Sequence, residues 1–293
     1  MKNRKVHLLV IIVVFAAVAS VIAFAPRGSR GQSRTKRTAA PIKSTPVASA
    51  SASKKASSFT AAATQNAVLR NELSWTFGGK QQRGWYLYDY LLSETLKTDD
   101  ASVSDDFAEA VAQWQKRRGL GATGMLDQNS WMAMVSHWQG NRLKNRTSAT
   151  PDQLVTAPPT EFYDSSRAVE HRQVQRDTYE AYKKMLDAAN ADLKLGTNSR
   201  FLKIISAFRS REYQEQLRRK SPNAGSAGLA VNNSPHFTGR ALDLYVGGDP
   251  VDTKDANRAI QVATPAYKWL VKNADRFGFR PYFYEPWHWE YVK

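Results

Sequence analysis

The chain has no cysteine among its 293 residues, which excludes disulfide staples and any thiolate metal site. Acid is missing from its first 66 residues, where eleven Lys and Arg stand without one Asp or Glu. The remaining residues carry 31 basic and 26 acidic side chains, so the formal net charge of +16 belongs mostly to this arm. The arm also lacks interleaved aromatics, with Phe59 alone in 26–66, and that argues against nucleic acid as a partner. Anionic lipid or wall polymer suits such an arm better. Histidine is scarce too, at five residues: His7, His137, His171, His236 and His288.

One long apolar run is present, Val6–Ala25, preceded by the basic Met1–Lys5. About twenty apolar residues suffice to span a bilayer, whereas the apolar part of a cleavable signal is roughly 7–15. Ala23-Phe24-Ala25 offers a cleavage-like end, but Pro26 follows and disfavours cutting. The expectation is a transmembrane signal anchor over 1–25, with secretion after cleavage as the alternative. Residues 26–66, rich in Ser, Ala, Thr, Pro and Lys, read as a disordered linker.

From 67 to 140 the aromatic content rises. Trp85, Leu87, Tyr88, Leu91 and Leu92 fit one helix face, Phe107, Val111, Trp114 and Gln115 a second, and Asn129–Trp138 a third short helix. A second linker, 141–163, shows neither helical nor strand period. Beyond it, Tyr179, Tyr182, Met185, Leu186, Ala189 and Leu193 form a helical stripe within 166–193. Strands are expected at 202–208, 241–246, 281–284 and 287–292, with helices at 210–220 and 265–276. Few strands with helices to one side make 164–293 an α+β domain, beside a small all-α module.

The chemistry concentrates in two segments, Ser234-Pro-His-Phe-Thr-Gly-Arg-Ala-Leu-Asp-Leu244 and Glu285-Pro-Trp-His288. They supply two imidazoles, a carboxylate and a spare Glu, the inventory of a zinc site with three protein ligands and an open position for water. Seven residues separate His236 from Asp243, roughly 23 Å if extended, so two ligands of one ion require the chain to fold back between them. Thr238-Gly239 is the place for that reversal. Pro286 interrupts strand pairing, so Glu285 and His288 can both face the ion.

The pattern Ser-x-His-x-x-Gly-x-Ala-x-Asp-Leu followed by Glu-x-Trp-His resembles the VanY-type zinc D-alanyl-D-alanine carboxypeptidases, which trim peptidoglycan stem peptides. The likeness extends to Ser206-Ala-Phe-Arg-Ser210 with Tyr213-Gln214, to 269–274 and to Phe277-Gly-Phe279, and so covers about 165–293. It implies a small antiparallel sheet of the D,D-peptidase or Hedgehog-like kind. By position it makes His236, Asp243 and His288 the zinc ligands, Glu285 the catalytic base, and Arg209, Gln214 and Ser234 substrate-binding residues. A guanidinium suits a terminal carboxylate or an oxyanion independently of the likeness. An L,D-carboxypeptidase or an endopeptidase would use the same metal site, and a non-catalytic wall-binding protein is the contrasting class. The string from Phe107 to Trp131 resembles the three-helix peptidoglycan-binding module found beside wall hydrolases. A wall enzyme implies a catalytic domain outside the cytoplasmic membrane, periplasmic or wall-facing.

Overall fold

Helix α3 (Asp105–Arg117) shows how local signals set the elements of the helical segment. Ser104 caps it, its Oγ accepting the Phe107 N–H at 3.1 Å, while Asp105 and Asp106 face the positive end of the helix dipole and Lys116 and Arg117 the negative end. The computed structural model describes residues 59–196, 199–220 and 233–293, all within one compact unit, Ser53–Lys293. In chain order the helical segment comprises α1 (Thr60–Glu72), the hairpin β1 (Ser74–Phe77) and β2 (Lys80–Arg83), α2 (Asp89–Leu96), α3 (Asp105–Arg117) and α4 (Gln128–Gly140). The span expected at 1–25 lies outside the described residues, and among those described no helix is long and apolar enough to cross a membrane.

Two features depart from the expected all-α module and its boundaries. The hairpin is one, turned by Gly78-Gly79, both at positive φ. The other is α1, which begins at Thr60, inside the stretch expected as linker. Its Ala-rich start favours helix, and Asn66 fixes it from afar, donating to the Gly124 carbonyl at 2.9 Å and accepting the Leu126 N–H at 2.8 Å. The rest of that linker, 26–58, lies outside the described residues.

Residues 141–163, expected to lack regular structure, contain β3 (Leu154–Thr156), which pairs antiparallel with β4 (Gln173–Gln175). The run is too short to show a strand period. Helix α5 (Arg176–Leu193) follows, starting ten residues later than the expected 166. Next come β5 (Ile204–Ser206), α6 (Arg211–Lys220), β6 (Ala241–Leu244), α7 (Asp255–Ala263), α8 (Pro265–Asn273), β7 (Phe279–Pro281) and β8 (His288–Tyr291). The four last strands form one antiparallel sheet in the order β5-β6-β8-β7. The expected strand at 281–284 is mostly turn, because Tyr282–Tyr284 leave the sheet to pack elsewhere. The mixed α+β character holds.

Leu242, Leu244 and Trp289 point from the sheet into a core shared with Tyr182 and Met185 of α5 and with Leu270 of α8. A second core gathers the aromatics of the helical segment, and Tyr282, Phe283 and Tyr284 belong to it. The Phe283 ring lies 4.8 Å from Phe77, 5.5 Å from Tyr88 and 5.7 Å from Trp138. Arg258 of α7 adds a polar tie, donating to the Tyr88 hydroxyl at 3.0 Å. The helical and C-terminal segments are thus packed together through the loop that leads to Glu285.

Candidate metal centre

The register of β6 against β8 builds the site. Asp243 stands directly opposite His288, Leu242 opposite Trp289, and Ala241 opposite Glu290. Opposed residues share a face and alternate along the strand, so Asp243, His288, Ala241 and Glu290 look one way while Leu242 and Trp289 look into the core. The small Ala241 leaves space for the Glu290 carboxylate.

His236 reaches the same place from a 3-10 turn, Pro235–Thr238, that folds the chain back before β6. Ser234 caps the turn through Oγ, and Gly239 ends it at φ +65°. A Cβ at Gly239 would lie 2.9 Å from the Gln175 backbone nitrogen, so the reversal needs glycine for space as well as for angle. The fold-back expected at Thr238-Gly239 is observed there.

His236, Asp243 and His288 are all buried, and each offers one ligand atom within 4.8 Å of the other two. His236 Nε2 lies 3.3 Å and His288 Nδ1 2.9 Å from the same atom, Asp243 Oδ1. The outward nitrogens are occupied: His236 Nδ1 is 2.6 Å from the Ala207 carbonyl, and His288 Nε2 is 3.2 Å from Glu290 Oε1. A carbonyl can only accept, so Nδ1 of His236 carries the proton. Burial, reinforced by Arg209, brings the His236 pKa down to about 4 and keeps the ring neutral. Its Nε2 lone pair therefore faces a carboxylate oxygen, a repulsion that a cation between them would relieve. Buried imidazoles with their second nitrogens anchored, plus one carboxylate, match the donor set of a divalent metal, so the residues fit such an ion.

Asp243 is held well below the usual carboxylate range: burial opposes ionisation, but the Arg209 cation and the hydrogen bond from His288 outweigh it. Arg209 is buried beside it, Nη2 donating to Asp243 Oδ2 at 2.5 Å and Nε to Ser206 Oγ at 2.8 Å. Nη1 reaches Gln214 Oε1 at 3.5 Å. The structure therefore places Arg209 as the partner of Asp243, with Gln214 beside it, and Ser234 as the cap of the turn that carries His236.

Glu285 follows the aromatic loop, in a turn where its carbonyl accepts the His288 N–H at 2.9 Å. It is buried, and among the described residues its Oε1 has no hydrogen-bond partner. Burial, with Asp243 adding and His288 opposing, pushes its pKa up from 4.5 to about 7. A carboxyl group poised near neutrality with a free oxygen suits proton transfer.

Two residues of the site escaped the sequence reading. Glu290, fully buried, contacts His288, and Arg142 pairs with Glu290. Strand alternation from His288 could have flagged Glu290. Nothing local marks Arg142, 148 positions away.

Residues 171–293 match the family model described as VanY: D-alanyl-D-alanine carboxypeptidase. The stretch contains the three converging side chains, Glu285, Arg209 and Glu290, and it meets the resemblance drawn from the sequence. Among solved structures the chain is similar to the LdcB LD-carboxypeptidase, whose structure was described as revealing the molecular basis of peptidoglycan recognition. That likeness has 26% identity, covers 52% of this chain and 72% of that one, and has a TM-score of 0.37. No curated protein matches the chain.

Proposed function

We propose that this chain, whose residues 171–293 match a carboxypeptidase family, is a zinc hydrolase of peptidoglycan stem peptides that removes the terminal D-alanine. The observation that carries the reading is the convergence of His236 Nε2 and His288 Nδ1 on Asp243 Oδ1, with the buried Glu285 close by in the fold, its Oε1 without a hydrogen-bond partner among the described residues. Zinc held by His236, Asp243 and His288 would supply Lewis acidity toward the scissile carbonyl and make water a nucleophile near neutral pH. Glu285 takes the proton of the attacking water and passes it to the departing amine. Arg209 keeps Asp243 oriented through Nη2. Its Nη1, with one long contact to Gln214, is the donor left for a substrate carboxylate or oxyanion.

The helical segment fits a wall-binding role by its sequence likeness alone. Trp75, Trp85, Trp114, Trp131 and Trp138 are buried, so a glycan would have to be met by other side chains. A wall substrate puts the catalytic segment outside the cytoplasmic membrane, with Val6–Ala25 as the anchor. Fractionation with an antibody against the C-terminus tests that placement, and a soluble cytoplasmic pool would refute it.

Purified protein incubated with defined muropeptides tests the activity. Release of D-alanine from pentapeptides supports the proposal. Release from tetrapeptides alone would replace it with L,D specificity, and cleavage of crosslinked dimers with endopeptidase action. Inertness of zinc-loaded protein on all three would leave a binding protein.

A further inference from the structure

Glu290 is a buried carboxylate surrounded by donors. Its Oε1 faces His288 Nε2 at 3.2 Å and accepts from Arg142 Nε at 3.1 Å and from Arg142 Nη2. Its Oε2 accepts the Leu143 backbone N–H at 2.9 Å. Arg142 is itself restrained, with its guanidinium 3.8 Å from the Tyr282 ring centroid and Nη1 bonded to Gln139 Oε1 at 3.1 Å. Arg142 and Leu143 follow α4 and lie upstream of the matched stretch 171–293. A cation and an amide just past the last helix of the helical segment, the cation bonded back to Gln139 of α4, thus converge on an acid that touches one imidazole of the triad.

A buried ion pair is an expensive way to join two segments, since apolar side chains of similar volume commonly do it as well or better. Geometry suggests a second role. A carboxylate behind the outer nitrogen of a metal-binding imidazole fixes the tautomer and the ring angle and makes the inner nitrogen a better donor. Glu290 holds Nε2 of His288, which leaves Nδ1 aimed at Asp243 Oδ1. Arg142 and the Leu143 N–H leave the carboxylate little freedom to swing away.

We propose that Arg142 and Glu290 form a positioning pair for the metal centre, through which the helical segment sets the metal affinity of the C-terminal site. The proposal rests on reading His236, Asp243 and His288 as that centre. The helical segment is then a component of the hydrolase as well as a candidate wall-binding element.

The test uses the full chain and zinc, with affinity measured by competition against a chromophoric chelator. Glu290→Gln should weaken zinc binding roughly 10- to 100-fold, the cost usual for losing such a partner. Arg142→Met should weaken it in the same direction, and Arg142→Lys should recover most of the loss by restoring the charge. The double variant Arg142→Met/Glu290→Gln removes both charges together, so it should fold with a metal-free melting temperature near wild type and still bind zinc weakly. Cobalt substitution gives a second reading, since Glu290→Gln should shift the visible bands of the bound ion. If the double variant does not fold, Arg142→Lys and the cobalt spectrum of Glu290→Gln carry the decision. Wild-type zinc affinity and an unchanged cobalt spectrum in folded Glu290→Gln would overturn the pair and leave the metal centre standing. Wild-type protein that takes up no zinc would overturn both.

Discussion

Arg209 donates from Nη2 to Asp243 Oδ2 at 2.5 Å, which leaves Oδ1 of that carboxylate to the two imidazoles. One oxygen is held by a permanent cation and the other is open to the centre. Removing the guanidinium strands a buried carboxylate, a change that commonly costs about 3–5 kcal/mol. Bound zinc would compensate the same charge. Arg209→Ala should therefore lower the melting temperature of metal-free protein far more than that of zinc-loaded protein. Equal losses in the two states would show that Arg209 does not steady Asp243 for a metal.

Glu285 allows chemistry to be separated from binding. Glu285→Gln keeps the size of a buried side chain while removing its ability to take a proton. Zinc content should stay stoichiometric while kcat falls on the order of 100- to 10,000-fold with KM little changed. Near-normal turnover in this variant would assign the proton to another group.

The shape of the site was more legible than its supports. His236, Asp243, His288 and Glu285 stood out because metal hydrolysis needs particular residue types at spacings a short turn can close. Helix α3 was legible for a similar reason, its apolar period being local. Arg142 was not, since only the docking of two segments brings it to Glu290. The same holds for the helix start at Thr60–Asn66: its Ala and Thr content reads as linker until the Asn66 side chain finds the backbone at Gly124 and Leu126. A strand is expected over 281–284, but packing of Phe283 against Trp138 and of Tyr282 against Phe77 draws 282–284 out of the sheet, a tertiary contact that no local pattern shows.

The triad also predicts a pH signature in metal-free protein. Burial works against charge on His288, but hydrogen bonds to Asp243 and Glu290 outweigh it and raise the pKa from 6.5 to about 9. A folded-state pKa above the unfolded one stabilises the fold fully below pH 6.5, and the gain is lost as pH rises through 9. The loss between pH 7 and 9 should be on the order of 2 kcal/mol. Below pH 7 two groups oppose each other. Glu285, raised to about 7, costs stability as pH climbs, while His236, lowered to about 4, restores it. The alkaline side is therefore the informative window. Zinc needs His288 Nδ1 free of its proton, so stabilisation by zinc should grow over the same range. Melting curves from pH 7 to 9 with and without zinc would check this, and a flat metal-free profile would show that His288 is not held as an imidazolium.

The shared aromatic core makes the last prediction. Phe283 lies two residues before Glu285 and packs its ring against Trp75, Phe77, Tyr88 and Trp138 of the helical segment. Truncating a buried aromatic typically costs about 3–5 kcal/mol through lost burial and the cavity left behind. Phe283→Ala should spread that loss across both segments, because the side chain belongs to one and its packing partners to the other. Hydrogen exchange followed by mass spectrometry should show faster exchange in α4 as well as in β8, and thermal unfolding should remain a single transition at lower temperature. Muropeptide turnover should fall even with zinc present, since the loop that carries Glu285 loses its anchor. Faster exchange confined to β7 and β8, with α4 still protected as in wild type, would mean that the helical segment folds independently and that its contact with Phe283 contributes little.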